Sequence, residues 1–255
     1  MTNTAYEKIV NEWRSRPMNS PADVDTVLDN FRVLFAYNSN KIENPDTTWH
    51  DTREIFLNGR VTGYTGELRT LFEIQNQKNC YGFLRDKIAS REPVTPDLIK
   101  ETHRVLMAVC YDETRWDQGE RPGKYKIHDY VTGDGVGAVP EDVQCEIESL
   151  CQEIEAVPTD RTLTAAAHFH LKFESIHPFA DGNGRTGRTL MNYYLMTHGH
   201  PPTIIYDEDK VTYYMALAVY DKSEEISGFE DLLREQTVKT WSRAPRPGKK
   251  LMTFL

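Results

Sequence analysis

The chain has 255 residues, with 30 Lys and Arg against 39 Asp and Glu and a formal net charge of −9, a balance that argues against a general nucleic-acid or membrane surface while leaving room for a local basic pocket. Hydrophobic residues are 39% and charged residues 27%, ordinary for a globular chain that buries one large core, and no run of eighteen apolar residues offers a membrane span. Cys80, Cys110, Cys145 and Cys151 form no C-x-x-C pair and the first residues hold no apolar signal core, so a reducing cytoplasm is the expected location.

In chain order, Ser20-Pro21-Ala22-Asp23 is a helix start, with Ser20 as cap, Pro21 in the first turn and an early acidic residue. Val24, Val27, Leu28, Phe31, Leu34, Phe35 and Ile42 follow at helical spacing until Pro45 stops the run after Asn44. Ser39 and Glu43, four apart, share one face at the edge of that stripe. Thr47 to Leu57 predicts a short helix closed by Asn58-Gly59. Glu67 to Ile88 predicts a long one with Leu68, Leu71, Ile74, Tyr81 and Leu84 inward, and Thr95-Pro96-Asp97 caps another that reaches about Val109, with His103 a packing or surface residue. Pro122 to Val139 changes character: its glycines flank Tyr125–Val131, which alternates like a strand and predicts a β-hairpin with its tip at Thr132–Gly135. Amphipathic helices are expected again over Pro140–Val157, Thr164–Ile176, Thr186–His198, Asp207–Tyr220 and Phe229–Trp241, followed by a loosely held basic tail from Arg243 to Lys250. No internal repeat and no basic helix-turn-helix is present.

The densest chemistry runs from Ile176 to Arg188: Ile-His-Pro-Phe-Ala-Asp-Gly-Asn-Gly-Arg-Thr-Gly-Arg. Pro178 makes the preceding helix end near His177, because the residue before a proline avoids the α region. Gly182 and Gly184 let the backbone turn sharply into the next helix, whose first N–H groups and positive dipole end suit a phosphate, with Arg185 and Arg188 on its first turn. Asp181 beside such an anion site calls for a hard cation between them, for which Mg²⁺ is the natural candidate. Residues 182–187 also match G-x-G-x-x-G, yet a helix precedes them where a dinucleotide fold needs a strand, and no Gly-Lys-Ser/Thr follows for a P-loop. His168 and His170 point about 200° apart on a helix, so they cannot share a metal ion.

The string fits HxFx[D/E]GNGRxxR at every specified position, and the chain resembles the Fic (filamentation induced by cyclic AMP) family of enzymes that transfer AMP from ATP to protein hydroxyls. The resemblance implies a mainly α Fic fold, a helical bundle with a small β-hairpin flap beside the active site. It implies His177 as general base, Asp181 as the Mg²⁺ ligand, Gly182, Asn183 and Gly184 as the anion hole, and Arg185 and Arg188 as phosphate ligands. Ser39-Asn-Lys-Ile-Glu43-Asn44 matches the [S/T]xxxE[G/N] inhibitory motif of that family, which makes Ser39, Glu43 and Asn44 an N-terminal brake in which Glu43 occupies Arg188. It also implies that Tyr213 or Tyr214 borders adenosine and that the flap, with Lys126 where arginine is common, Tyr130 and Val131, aligns an extended target segment by strand-like pairing. The expected division is an N-terminal helical region at 1–58, a catalytic core at 59–225 and a C-terminal helix and tail at 226–255. Expected partners are ATP and a target protein, the chain itself included, with self-association left open and neither nucleic acid nor membrane involved. Two other functions use the same site: a hydrolase that removes AMP from modified targets, and a nucleotide-sensing regulator with little turnover.

Overall fold

The computed structural model describes residues 2–132 and 135–243, and these form a helical bundle with one minimal β-ladder. Its axis is α9 (Asn183–Thr197), which reads polar in sequence yet is buried from Arg185 to Leu195, because its polar side chains feed a site inside the molecule. Along it lies α8 (Thr162–Ile176), where the fully buried Ala165, Ala166 and Ala167 let the two backbones approach. Val143, Ile147, Leu150 and Ile154 of α7 (Val143–Glu155) cover α8 with the apolar stripe that their spacing predicts. On the far side of α9 stand α4 (Leu68–Ser90) and α5 (Pro96–Leu106).

Helix α2 (Pro21–Glu43) packs along α4 and brings its last turn to α9. It begins as expected, the Ser20 hydroxyl accepting from the Asp23 N–H at 3.2 Å, and ends at the Asn44 cap. The short helix α3 (Trp49–Asn58) bridges α2 and α4, α6 (Glu113–Asp117) is a single short turn, and Gly59 at φ 67° closes α3 in a left-handed conformation that suits glycine. Helices α10 (Lys210–Ser223) and α11 (Ser227–Arg243) finish the α8 side. Helix α1 (Thr2–Arg14), which no cap signal announces, lies on α11 with the Trp13 and Trp241 rings 5.1 Å apart.

Two expectations change. Leu68 does not point inward: it is 67% exposed, and the buried face of α4 carries Thr70, Glu73, Asn76 and Gln77, because that end of the helix walls a polar cavity. The strand over Tyr125–Val131 does not form along its length. The Lys126 N–H donates to the Pro178 carbonyl at 2.9 Å and the Ile127 N–H to the Glu120 carboxylate at 3.0 Å, so donors that a ladder needs are used elsewhere. Only β1 (Val131–Thr132) pairs antiparallel with β2 (Gly135–Val136), Val131 opposite Val136. The tip at 133–134 and the basic tail beyond Arg243 lie outside the described residues. No described helix is long and apolar enough to cross a membrane.

Candidate active site

The loop from His177 to Gly182 is held by its own residues. His177 caps α8 at φ 51°, a left-handed conformation that breaks the helix just before Pro178. Asn183 Oδ1 accepts from the Phe179 N–H at 2.9 Å while its Nδ2 donates to the Phe179 carbonyl at 2.8 Å, a reciprocal clasp that fixes the turn and engages both ends of the amide. Gly182, at φ 81°, leads into α9, and the Thr186 hydroxyl donates to its carbonyl at 2.8 Å. The first N–H groups of α9 have no partner within the helix and face the cavity lined by Asp181, Gly182, Asn183, Gly184 and Arg185. Phe173 and Phe179 are fully buried beneath the loop, where truncation to Ala would cost about 3–5 kcal/mol.

Beneath that turn, Arg188 is 1% exposed and spends its donors on four acceptors. Nη2 donates to Glu43 Oε1 at 2.7 Å and to the Ser39 carbonyl at 2.9 Å, Nε to the Ser39 hydroxyl at 3.2 Å, and Nη1 to the Tyr213 hydroxyl at 3.3 Å. Burial alone would lower its pKa, but Glu43, with Tyr213 and Glu174, more than compensates and holds the guanidinium charged. A Cβ on Gly184 would strike Glu43 Oε1 and approach Arg188 Nη1 within 2.9 Å, so only glycine lets the α2 carboxylate descend onto the anion turn. Asn44, next in sequence, donates to Glu73 Oε2 at 2.8 Å and to the Thr70 hydroxyl at 3.0 Å, tying the end of α2 to α4.

Asp181 sits among guanidiniums. Its Oδ1 accepts from the Gly182 N–H at 2.6 Å and its Oδ2 from Arg69 Nη2 at 2.8 Å, with Arg185 at 3.6 Å and Arg115 at 3.8 Å. Burial works against the carboxylate, but Arg185, Arg69 and Arg115 outweigh it and bring its pKa below the usual value. Glu73 bridges Arg69 at 3.1 Å and Arg185 at 2.8 Å. Among the described residues no three His, Cys, Asp or Glu side chains gather into a cation cage. A single carboxylate paired with a half-exposed guanidinium beside the start of α9 fits instead a hard cation that would bring phosphate and water as its remaining ligands.

His177 borders the same cavity, of about 970 Å³. Burial first and Lys126 second push its pKa down to about 4, so at neutral pH the imidazole keeps a free lone pair. Lys126 is only 2% exposed and its own pKa is lowered by burial. The segment after the ladder rests on the His177 loop: the Ala138 N–H donates to the Ile176 carbonyl at 3.0 Å, and a Cβ on Gly137 would collide with that carbonyl and with His177. Tyr130 reaches the cavity rim with its hydroxyl on Glu120 at 3.1 Å, and Val131 begins the ladder.

Tyr213 and Tyr214 differ. Tyr213 is 1% exposed with its hydroxyl between Arg188 and His170 Nε2 at 2.9 Å, whereas Tyr214 is 44% exposed on the cavity rim near Leu217 and Ala218. Since Arg188 can only donate, the Tyr213 hydroxyl passes its proton toward His170, which burial keeps neutral with a pKa near 3. His168 lies apart, 2.7 Å from Glu153.

Arg69, Glu73, Arg115, His103 and Glu174 escape a reading of the sequence alone. His103 is fully buried, stacked on Phe179 at 3.7 Å, and its Nδ1 accepts from the Gly123 N–H at 2.8 Å; the proton is therefore on Nε2, which donates to the Asp181 carbonyl at 2.8 Å. It braces the loop and the flap base together. Glu174 lines the cavity, and burial raises its carboxyl to about 8. The buried pattern at Thr102-His103 in a capped helix was the available signal for His103; the others come from helices far apart in sequence and carried none.

Residues 93–195 match the Fic/DOC family. The chain is 31% identical over 185 residues to the protein adenylyltransferase Fic of Nematostella vectensis, covering 70% of this chain and 40% of that one, and 29% identical over 190 residues to the protein adenylyltransferase fic-1 of Caenorhabditis elegans, covering 73% and 36%. It thus spans about two fifths of the length of the curated relatives it matches. Among solved structures, a Fic-domain-containing signaling protein from Bacteroides thetaiotaomicron superposes with a TM-score of 0.77 at 24% identity over 93% of this chain and 94% of that one, and Fic-1 of Caenorhabditis elegans with 0.75 at 23% over 95% and 71%. Motif, bundle and relatives agree: residues 93–195 of this chain form a domain of the Fic/DOC family.

Proposed function

We propose that this protein is an autoinhibited protein adenylyltransferase, which moves AMP from ATP to a hydroxyl side chain of a target protein, itself included. The observation that carries this is one cavity in which a neutral His177, a carboxylate at Asp181 and the N-terminus of α9 with Arg185 converge, with Glu43 on its lining already seated on Arg188 beneath the turn. The curated relatives, named protein adenylyltransferases, support the same assignment.

The α9 N-terminus and Arg185 hold the phosphates, and the exposed Tyr214 with Leu217 and Ala218 offers a half-apolar wall for the nucleoside. Asp181 would hold Mg²⁺ that arrives with the nucleotide, and the bound cation would neutralise charge on the phosphate oxygens. His177 takes the proton of the attacking hydroxyl, a role typically worth about 10²- to 10⁴-fold. The flap, seated on the His177 backbone through Gly137 and Ala138, presents the target segment by pairing with its strand edge. Glu43 competes with the terminal phosphate for the Arg188 fork and keeps the free enzyme largely off. Four cysteines without a disulfide suit a reducing cytoplasm.

The test is incubation with ATP labelled on the α-phosphate, with and without cell lysate, for the parent, Glu43→Gly and His177→Ala. Label on protein should rise in Glu43→Gly and vanish in His177→Ala while ATP binding persists in both. Transfer by His177→Ala within tenfold of the parent would reject the base. AMP release from a modified protein in preference to attachment would make the enzyme a hydrolase in which Glu43 orients water, and ATP binding without label transfer in Glu43→Gly would make it a sensor.

A further inference from the structure

We propose that the outer face of α10 is a self-association surface, on which a second copy of this chain packs its own α10 antiparallel about a twofold axis through Met215. The helix exposes what a surface helix normally buries. Of its 14 residues only Tyr213 and Tyr220 are buried, while Val211, Met215 and Val219 stand 66%, 64% and 48% exposed. With Tyr214 beside them, four of the eleven exposed large hydrophobic side chains among the described residues fall on this one helix, so they form a patch rather than a scatter.

Residues four apart share a helix face, so Val211, Met215 and Val219 make one stripe. Lys222, three residues further and exposed, extends it at one end. At the other end Glu208 lies in the 3-10 turn Asp207–Asp209, where side chains three apart eclipse, and so stands in line with Val211. None of the ten residues from Val211 to Tyr220 is charged. A centre of apolar, aromatic and Met side chains without charge, closed at both ends by ionised groups, has the anatomy of a protein interface.

The order of the stripe selects its occupant. It reads Glu208, Val211, Met215, Val219, Lys222, with an acid at one end, a base at the other and equal spacing about the centre. At 1.5 Å per residue Val211 and Val219 lie about 6 Å on either side of Met215, and Glu208 and Lys222 about 11 Å. Turned over by a twofold axis, the stripe meets itself: Met215 faces Met215, Val211 faces Val219, and each Glu208 faces a Lys222. Glu208 also pairs with Lys239 but stays mostly exposed. A parallel approach would set like charges together, and the net charge of −9 opposes less specific pairing. One helix about 21 Å long buries less than the roughly 800 Å² per partner of a stable interface, so the dimer is weak and concentration-dependent. Tyr214 and Ala218 at the edge of the stripe also line the cavity, so the second copy lies along one side of its mouth. The proposal holds whatever reaction that cavity performs, and its test needs no nucleotide.

That test is sedimentation equilibrium of the full chain from about 1 to 300 µM, the range of weak interfaces, together with cross-linking. The parent should show a monomer–dimer equilibrium that Met215→Lys abolishes, because two ammonium groups would meet on the axis. Glu208→Lys and Lys222→Glu should each weaken association about tenfold, and the double exchange should restore it to within about threefold of the parent. For cross-linking, the exposed Cys145 is replaced by Ser, the other three cysteines being buried. A short bismaleimide should then join Met215→Cys to its own mate, whereas Val211→Cys and Val219→Cys should stay single alone and join when mixed. A parent that stays monomeric throughout overturns the self-contact and gives the stripe to a different protein. A dimer that Met215→Lys leaves intact, in a variant with the parent's melting curve, or a double exchange that restores nothing, also overturns it. Val211→Cys joining to itself as readily as to Val219→Cys overturns the antiparallel arrangement and the proposal with it.

Discussion

Two carboxylate–guanidinium contacts of nearly equal length face each other across the cavity: Glu43 to Arg188 at 2.7 Å and Asp181 to Arg69 at 2.8 Å. Their surroundings differ. The Arg188 side chain is 2% exposed and locked by Ser39 and Tyr213 as well as Glu43, whereas the Arg69 and Asp181 side chains are 37% and 21% exposed and Asp181 has two further guanidiniums nearby. A buried, fully bonded cation resists loss of a partner, while a half-exposed one trades partners at little cost. Distance alone therefore does not tell a brake from a resting contact. The contrast lies in the guanidiniums, since the Glu43 side chain is 33% exposed and Asp181 21%: a secluded Arg188 suits the proposed brake, and a half-exposed Arg69 is ready to release Asp181 to an incoming ligand.

The contrast breaks most visibly at Asp181. Asp181→Ala should lower AMP transfer by at least about 10²-fold and remove its dependence on divalent cations, the several kcal/mol that a metal contributes to phosphoryl chemistry. Unaltered Mg²⁺-dependent transfer would place the metal elsewhere. Glu43→Gly acts in the opposite direction. At 2–3 kcal/mol for a charge-assisted contact, its loss should raise transfer roughly 30- to 150-fold in the labelled-ATP assay, with a melting curve that stays cooperative. Transfer equal to or below the parent in a folded variant would return Glu43 to a solvated helix end. Ser39→Ala removes one neutral hydroxyl from Arg188 and leaves the Ser39 carbonyl contact, so a gain of about three- to tenfold is expected.

Double-mutant cycles on stability sharpen the same comparison. The Arg69–Asp181 pair should couple by less than about 1 kcal/mol and the Glu43–Arg188 pair by more than about 2. Equal couplings would show that seclusion does not separate them.

The smallest effect is on pH dependence. Burial holds His103, His177 and His200 near 4 and His170 near 3, so the folded chain leaves them neutral where the unfolded chain takes up protons below about 6.5. The unfolded state then binds more protons, and stability falls as pH drops from about 6.5 toward 4. Glu174, raised to about 8 by burial, works with the opposite sign: the folded state keeps a proton that the unfolded state has lost, and stability falls as pH rises from about 4.5 to 8. The four histidines outweigh Glu174 until the unfolded chain has released most of their protons, so urea midpoints should peak near about pH 7. Glu174→Gln should flatten the decline between about 7 and 8; an unchanged decline would remove Glu174 as its source.

What the sequence determined by itself is local. The ends of α2, the His177-Pro178 exit from α8, the glycine turn and the start of α9 depend on residues within a few positions of one another, through caps, a proline and left-handed glycines, so they are legible in order along the chain. Ser39 and Glu43 could be placed on one helix face for the same reason. Only the tertiary structure decided which distant groups complete the cavity: Arg69 and Glu73 from α4, Arg115 from α6, His103 behind Asp181 and Tyr213 beneath Arg188. It also overruled the alternating pattern at Tyr125–Val131, where the Glu120 side chain and the Pro178 carbonyl take backbone donors that a strand would have used. A helix's periodicity shows which face it buries, but a side chain's partner 112 residues away, as Arg69 is from Asp181, follows from how the helices cross, and that is settled by packing the core as a whole.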